Sequence, residues 1–140
     1  MIFEGVNDIG VEPASISAQE IIGDRLIQAY GQIVDRLHDV GVPVFAATIT
    51  PFSAPIVANG SVVVQPYSDP EREKTRVRVN DWIKDSGVFD YVFDFAAVVA
   101  DPDVQSMLAQ EYNSGDYLHP NVAGYQAIAD SFPLEVFGMF

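Results

Sequence analysis

The stretch Gly41-Val42-Pro43-Val44-Phe45-Ala46-Ala47-Thr48 decides the fold. Its glycine stops a helix, and the short apolar run from Pro43 to Thr48 reads as a strand of a parallel sheet, buried on both faces. Upstream, Ile22, Leu26, Ala29, Ile33, Leu37 and Val40 recur at helical spacing. They predict one long amphipathic helix ending near residue 40, opened by Ser17 and Glu20 as a capping box. Before that helix, Met1-Ile2-Phe3 marks another buried strand over residues 1–4, followed by a loop. Strand, helix and strand in that order signal an α/β layer fold.

The alternation continues downstream. A loop rich in Pro, Ser and Gly spans about residues 50 to 69, and its Val62-Val63-Val64 forms a short strand or an apolar lip. Asp69 as N-cap and Pro70 at the first helical position open a second helix, with Glu71 and Glu73 in its first turn. Val79, Trp82 and Ile83 form its buried face, Trp82 as core packing rather than a sugar platform, and Gly87 closes it. Tyr91 to Phe95 is the third strand, with Asp94 near its carboxyl end capping the next turn. Asp101-Pro102-Asp103 opens a short helix to about Gln110, and a last helix runs from Asn121 to about Phe132, where Gly124 allows close approach to the sheet. No repeat or linker divides residues 1–140, so one domain is expected.

Hydrophobic residues make up 49% of the 140, which excludes a disordered chain, yet no apolar run approaches the length of a membrane span. The 20 acidic and 7 basic residues give a net charge of −13, which argues against nucleic acid and anionic membranes as partners. With no cysteine and only His38 and His119, thiolate zinc sites are excluded and a histidine-rich metal centre is not expected; nothing calls for a cofactor. His38, in the last turn before Gly41, reads as a favourable charge for the helix dipole. Asn59-Gly60-Ser61 is a glycosylation sequon, compatible with secretion.

Chemistry concentrates in two strings at opposite ends of the chain, Gly5-Val6-Asn7-Asp8 and Asp116-Tyr117-Leu118-His119-Pro120. Asp116 and His119, three residues apart, can fold back on each other, so that the carboxylate fixes the tautomer of the imidazole and frees its other nitrogen as a general base. Pro120 drives His119 away from helical backbone angles, which places the imidazole on a connection ahead of the last helix. Asn7, just past a buried strand, is placed to donate to a developing oxyanion.

These strings resemble two blocks of the SGNH hydrolase superfamily, the GDSL esterases and lipases. Phe3 to Gly10 looks like the block that carries the asparagine; Asp116 to Asn121, with Gly124-Tyr125, looks like the block that carries the histidine. Ala47 to Phe52 resembles the strand end and loop between them. The resemblance implies a three-layer α/β/α, flavodoxin-like parallel sheet, of which about three strands, the C-terminal portion, lie in this chain. It also implies a serine esterase with His119 as base, Asp116 as its orienting partner and Asn7 as oxyanion donor. The chain looks most like secreted members that act on acetyl groups of plant polysaccharides, so a small-molecule or carbohydrate ester is the expected partner.

The Gly-Asp-Ser block with the nucleophile and the glycine block of the oxyanion hole have no counterpart here. Gly23-Asp24-Arg25 mimics the first but offers arginine where serine is needed and lies in a helix interior, and Ser114 belongs to the final loop. No nucleophile is therefore assigned. The chain is expected to be part of a longer protein, inactive alone, with Met1 at an internal position and its strand exposed as a sheet edge that invites self-association. The alternative is a non-catalytic α/β module that uses the same cleft to bind a carbohydrate or another protein.

Overall fold

A computed structural model describes residues 1–55 and 66–139. The sequon at Asn59 and the valines at 62–64 lie outside the described residues. Five α-helices are described: α1 (Val6–Val11), α2 (Ile16–His38), α3 (Pro70–Asp85), α4 (Phe95–Val99) and α5 (Val122–Asp130), with a final 3₁₀ turn at Leu134–Gly138. Two strands, β1 (Phe45–Ala47) and β2 (Tyr91–Phe93), pair in parallel with Phe45 opposite Tyr91 and Ala47 opposite Phe93.

The strand expected at residues 1–4 is reduced to one parallel bridge, Ile2 to Ala46. Ile2 N–H donates to the Phe45 carbonyl at 2.7 Å and Ala47 N–H to the Ile2 carbonyl at 2.9 Å. The chain then turns at Gly5 into α1, where a loop was expected. Gly5 stands at φ +110°, a left-handed angle that suits glycine, and begins the helix without a side-chain cap. A Cβ there would lie 2.8 Å from Ile49 Cδ1 and 3.1 Å from the Tyr30 hydroxyl, so the glycine also answers a close approach.

Side chains alternate across the sheet, as strand geometry requires. Ala46 and Val92 face one apolar cluster, with Ile22, Leu26, Tyr30 and Val34 of α2 and Val79 and Ile83 of α3. Ala47 and Phe93 face a second cluster, with Phe95 and Val99 of α4, Ile128 of α5 and Val136 of the 3₁₀ turn. Helical cover on both faces makes this an α/β fold.

Several expected details shift. The N-cap of α2 is Ser15, whose hydroxyl accepts from Ala18 N–H, rather than Ser17. Its buried stripe runs Ile22, Leu26, Tyr30, Val34, while Ile33 and Val40 are exposed. Gly41, at φ +74°, ends the helix as expected: Val42 N–H reaches back to the Leu37 carbonyl at 2.9 Å. Asp69 caps α3 through Glu71 N–H at 2.8 Å, with Pro70 in first place. Trp82 packs edge-on against Phe89, ring centres 5.7 Å apart. Asp94 caps α4 through Ala97 N–H and also accepts from the Thr48 hydroxyl at 2.8 Å. The helix expected from Asp101 to about Gln110 does not form; the Asp101 carboxylate instead takes the N–H groups of Asp103 and Val104, a turn that competes with helix. Gly124 meets Pro120 and the Tyr112 carbonyl rather than the sheet. No helix among the described residues is long and apolar enough to cross a membrane.

Candidate active site

Residues 111–121 fold as a knot around buried Asn113. Its side-chain oxygen accepts from Gly115 N–H at 2.9 Å and Tyr117 N–H at 3.0 Å. The ends of the loop are tied by Ser114 N–H to the His119 carbonyl at 3.1 Å and Asn121 N–H to the Tyr112 carbonyl at 2.7 Å. Asn121 then caps α5 through Gly124 N–H, so the helix begins after the histidine, as Pro120 suggested. Within this loop Gly115 (φ +104°) and Tyr117 (φ +59°) both take left-handed angles. Tyr117 pays a strain cost there, which the Asn113 bonds offset.

The loop holds Asp116 with four donors. Its Oδ1 accepts from the Ser114 hydroxyl at 2.8 Å and from the backbone N–H groups of Leu118 and His119 at 2.9 Å each. Its Oδ2 stands 2.7 Å from His119 Nδ1. Partial burial raises the Asp116 pKa, but the bonds from the His119 ring, the two N–H groups and Ser114 together outweigh it and hold the carboxyl well below the usual carboxylate range. An ionised Asp116 takes a proton on Nδ1 as its partner, so that in the neutral imidazole the lone pair is on Nε2.

His119 lines a cleft of about 140 Å³, walled by Phe3, Val6, Ile49, Leu118, Pro120 and Tyr125, with Glu4 and Thr50 beside them. Asn7 lines the same cleft. It occupies the second position of α1, an exposed residue of a helix where a loop was expected. The Tyr67 hydroxyl donates to Asn7 Oδ1 at 3.3 Å, and the NH₂ end of the amide points away from that bond, available to donate. Ile49 and Thr50 lie just past the end of β1, after Thr48, so the cleft opens at the carboxyl end of the parallel sheet, where α/β folds bind ligands.

The fold thus brings Asp116, His119 and Asn7, 112 residues apart at their extremes, to one place. The other candidates fall elsewhere. His38 lies at the opposite end of the sheet, its Nε2 2.8 Å from Asp90 Oδ2, which also accepts from Val44 N–H at 2.6 Å. Asp24 is inside α2 and pairs with Arg78. Asp94 caps α4 away from the cleft. The Ser114 hydroxyl donates to Asp116 rather than to the imidazole. Sequence reading missed the supporting roles of Asn113 and Ser114, although Asn-Ser-Gly is a turn signal directly before Asp116. It also missed Tyr67, which no local pattern links to Asn7. Among the described residues no cluster of His, Cys, Asp and Glu could hold a metal ion.

An imidazole oriented by a carboxylate, on a small cleft that a side-chain amide also lines, suits acyl transfer. The sequence matches the model of the GDSL-like lipase/acylhydrolase family over residues 1–127. The chain belongs to that family. Membership carries an esterase or acylhydrolase type of function at the level of the family. No curated protein matched the chain.

Proposed function

We propose that this family member supplies the general base, its orienting carboxylate and one oxyanion donor of a serine ester hydrolase. The observation that carries the reading is the 2.7 Å contact between Asp116 Oδ2 and His119 Nδ1 on a cleft that Asn7 also lines. In this reading His119 Nε2 takes the proton of a serine hydroxyl as its oxygen attacks the ester carbonyl. The Asn7 amide donates to the oxygen as negative charge develops there, and the imidazolium, steadied by Asp116, returns its proton to the departing alcohol. Water then repeats the cycle on the acyl-enzyme and releases the acid.

Gly-Asp-Ser does not occur in the 140 residues, and among the described residues the hydroxyls lining the cleft are those of Thr50 and Tyr125. The nucleophile in this proposal is therefore a serine brought to the cleft by a segment outside these residues. Ile2 bridges β1 on one side, and no strand among the described residues pairs on its other side, which supports a further strand docking there. The substrate we propose is a short acyl ester on a carbohydrate, and the setting extracellular; the small apolar cleft and the overall resemblance support the first.

Hydrolysis of p-nitrophenyl acetate tests the proposal. The 140-residue chain is expected to give no saturable turnover and no adduct with a serine-reactive phosphonate. The same residues joined to a family segment carrying Gly-Asp-Ser are expected to gain both. An adduct on a serine of this chain overturns the placing of the nucleophile; a folded, joined protein that stays inactive overturns the roles of His119 and Asp116.

A further inference from the structure

The oxyanion role of Asn7 depends on which way its amide points, and the residue is exposed near the start of a helix of only six residues. An exposed amide on so short a helix rotates freely unless something holds it. We propose that Tyr67 is that positioning residue, and that Gly10 is the slot that seats it; the inference rests on the role assigned to Asn7 above.

Three observations converge on it. Gly10 is buried in α1, and a Cβ added there would lie 2.2 Å from Tyr67 Cδ2 and 2.3 Å from Cγ. The tyrosine ring therefore lies directly on the helix backbone, closer than any other residue at position 10 permits. Asn7 is three residues before Gly10, on the same side of the helix. From its seat on Gly10 the ring extends along α1 until its hydroxyl meets Asn7 Oδ1 at 3.3 Å. The segment that delivers the ring is itself tied down: Arg72 Nη1 donates to the Pro66 carbonyl at 2.8 Å and Nη2 to the Glu12 carbonyl at 2.7 Å. Arg72 thus bridges the residue before Tyr67 to the residue that ends α1, and Asp69 begins α3 two positions later.

The chemistry selects a phenol for this task. As a donor it can take only the carbonyl end of the amide, so the NH₂ end is the one presented to a developing oxyanion. Rotation of the amide by half a turn would set its oxygen toward the oxyanion and break the bond in which Tyr67 donates to it. Pre-orientation of this kind matters because oxyanion donors act without reorganising during the reaction.

The test reads Asn7 itself and needs no ester hydrolysis, so its outcome is separate from that of the catalytic reading. In the ¹⁵N-labelled 140-residue chain, the Asn7 side-chain amide is assigned by its loss in Asn7→Asp. Tyr67→Phe keeps the ring on Gly10 and removes only the hydroxyl. The expected result is a shifted Asn7 amide pair whose order parameter falls from its value in the parent chain to below about 0.6, with α1 backbone amides unchanged. Gly10→Ala, which forces the ring from its seat, is expected to loosen Asn7 at least as much. An Asn7 amide pair unchanged in Tyr67→Phe overturns the proposal. Loosening of the whole α1 backbone in Tyr67→Phe overturns it too, because Tyr67 would then support the helix rather than aim the amide.

Discussion

The Ser114 hydroxyl donates to Asp116 Oδ1 at 2.8 Å, on the carboxylate oxygen that does not meet the imidazole. The bond ties a residue with no chemistry of its own to the group that orients His119. It also helps hold the Asp116 carboxyl below its ordinary range. Ser114→Ala is expected to move the Asp116 titration upward, toward the ordinary value of about 3.9. Carbon NMR of the Asp116 carboxyl measures it, and an unmoved midpoint would remove Ser114 from the arrangement.

The same depression has a sign in stability. A carboxyl whose pKa falls on folding contributes stability that is present above its unfolded value, about 3.9, and is lost as pH drops through the folded value. The loop at 113–121 should therefore keep its structure into acid beyond the ordinary carboxylate range. Asp116→Asn is expected to flatten that dependence, and Ser114→Ala to shift the loss to higher pH. Acid unfolding followed by the His119 ring signals distinguishes the three proteins.

Kinetics in an ester-hydrolysing form of the protein separates the three proposed roles. His119→Ala removes the base and is expected to lower kcat by several orders of magnitude. Asp116→Asn leaves the ring in place but wrongly oriented, at a cost on the order of 10⁴. Asn7→Ala removes one donor that acts in the transition state, so kcat should fall by about 10²–10³ with KM nearly unchanged. An Asn7→Ala enzyme that loses only in KM would make Asn7 a substrate-binding residue.

Much of the fold was legible because local chemistry and tertiary need agreed. Asp69-Pro70 can open a helix and do little else, Gly41 takes the left-handed angle that ends one, and the apolar runs at 43–48 and 91–95 are too short for buried helices. The buried face of α2 was misread because Ile21, Ile27, Ile33 and Leu37 accompany Ile22, Leu26, Tyr30 and Val34. Apolar residues around most of a helix leave its facing to the partners, here α3 and the sheet. Helix α1 was missed because six residues carry no period, and what holds them is tertiary: Tyr67 on Gly10 and Ile49 beside Gly5. Asp116 and His119 could be paired from their spacing alone. Their meeting with Asn7 could not, since it depends on the parallel register of Ile2 with Ala46 and on where the loop at 113–121 closes.

Tyr30 links the long helix to the segment that leads to Asn7. Its hydroxyl donates to the Glu4 carbonyl at 2.7 Å, and burial, with the negative charges of Asp8 and Glu4, pushes its pKa well above the ordinary phenol value. Tyr30→Phe keeps the ring against Trp82 and Phe89 but strips a part-buried carbonyl of its donor, a loss of about 1–3 kcal/mol. Chemical denaturation should show a lower midpoint with an unchanged slope.

Gly5→Ala strikes the same junction from the backbone. The substitution places a side chain at φ +110° and drives its methyl to 2.8 Å from Ile49 Cδ1 and 3.1 Å from the Tyr30 hydroxyl. Backbone strain and overpacking each cost about 1–3 kcal/mol, and both act at this one position. The chain can relieve them only by moving the start of α1, which carries Asn7 two residues on. Gly5→Ala is therefore expected to lower the thermal midpoint and to shift the Asn7 side-chain amide signals together. Gly87→Ala, at φ +69° with open space around it and far from the cleft in sequence, should lower the midpoint by less and leave those signals in place. Equal disturbance of the Asn7 amide by both substitutions would mean that Gly5 serves general stability rather than the placing of Asn7.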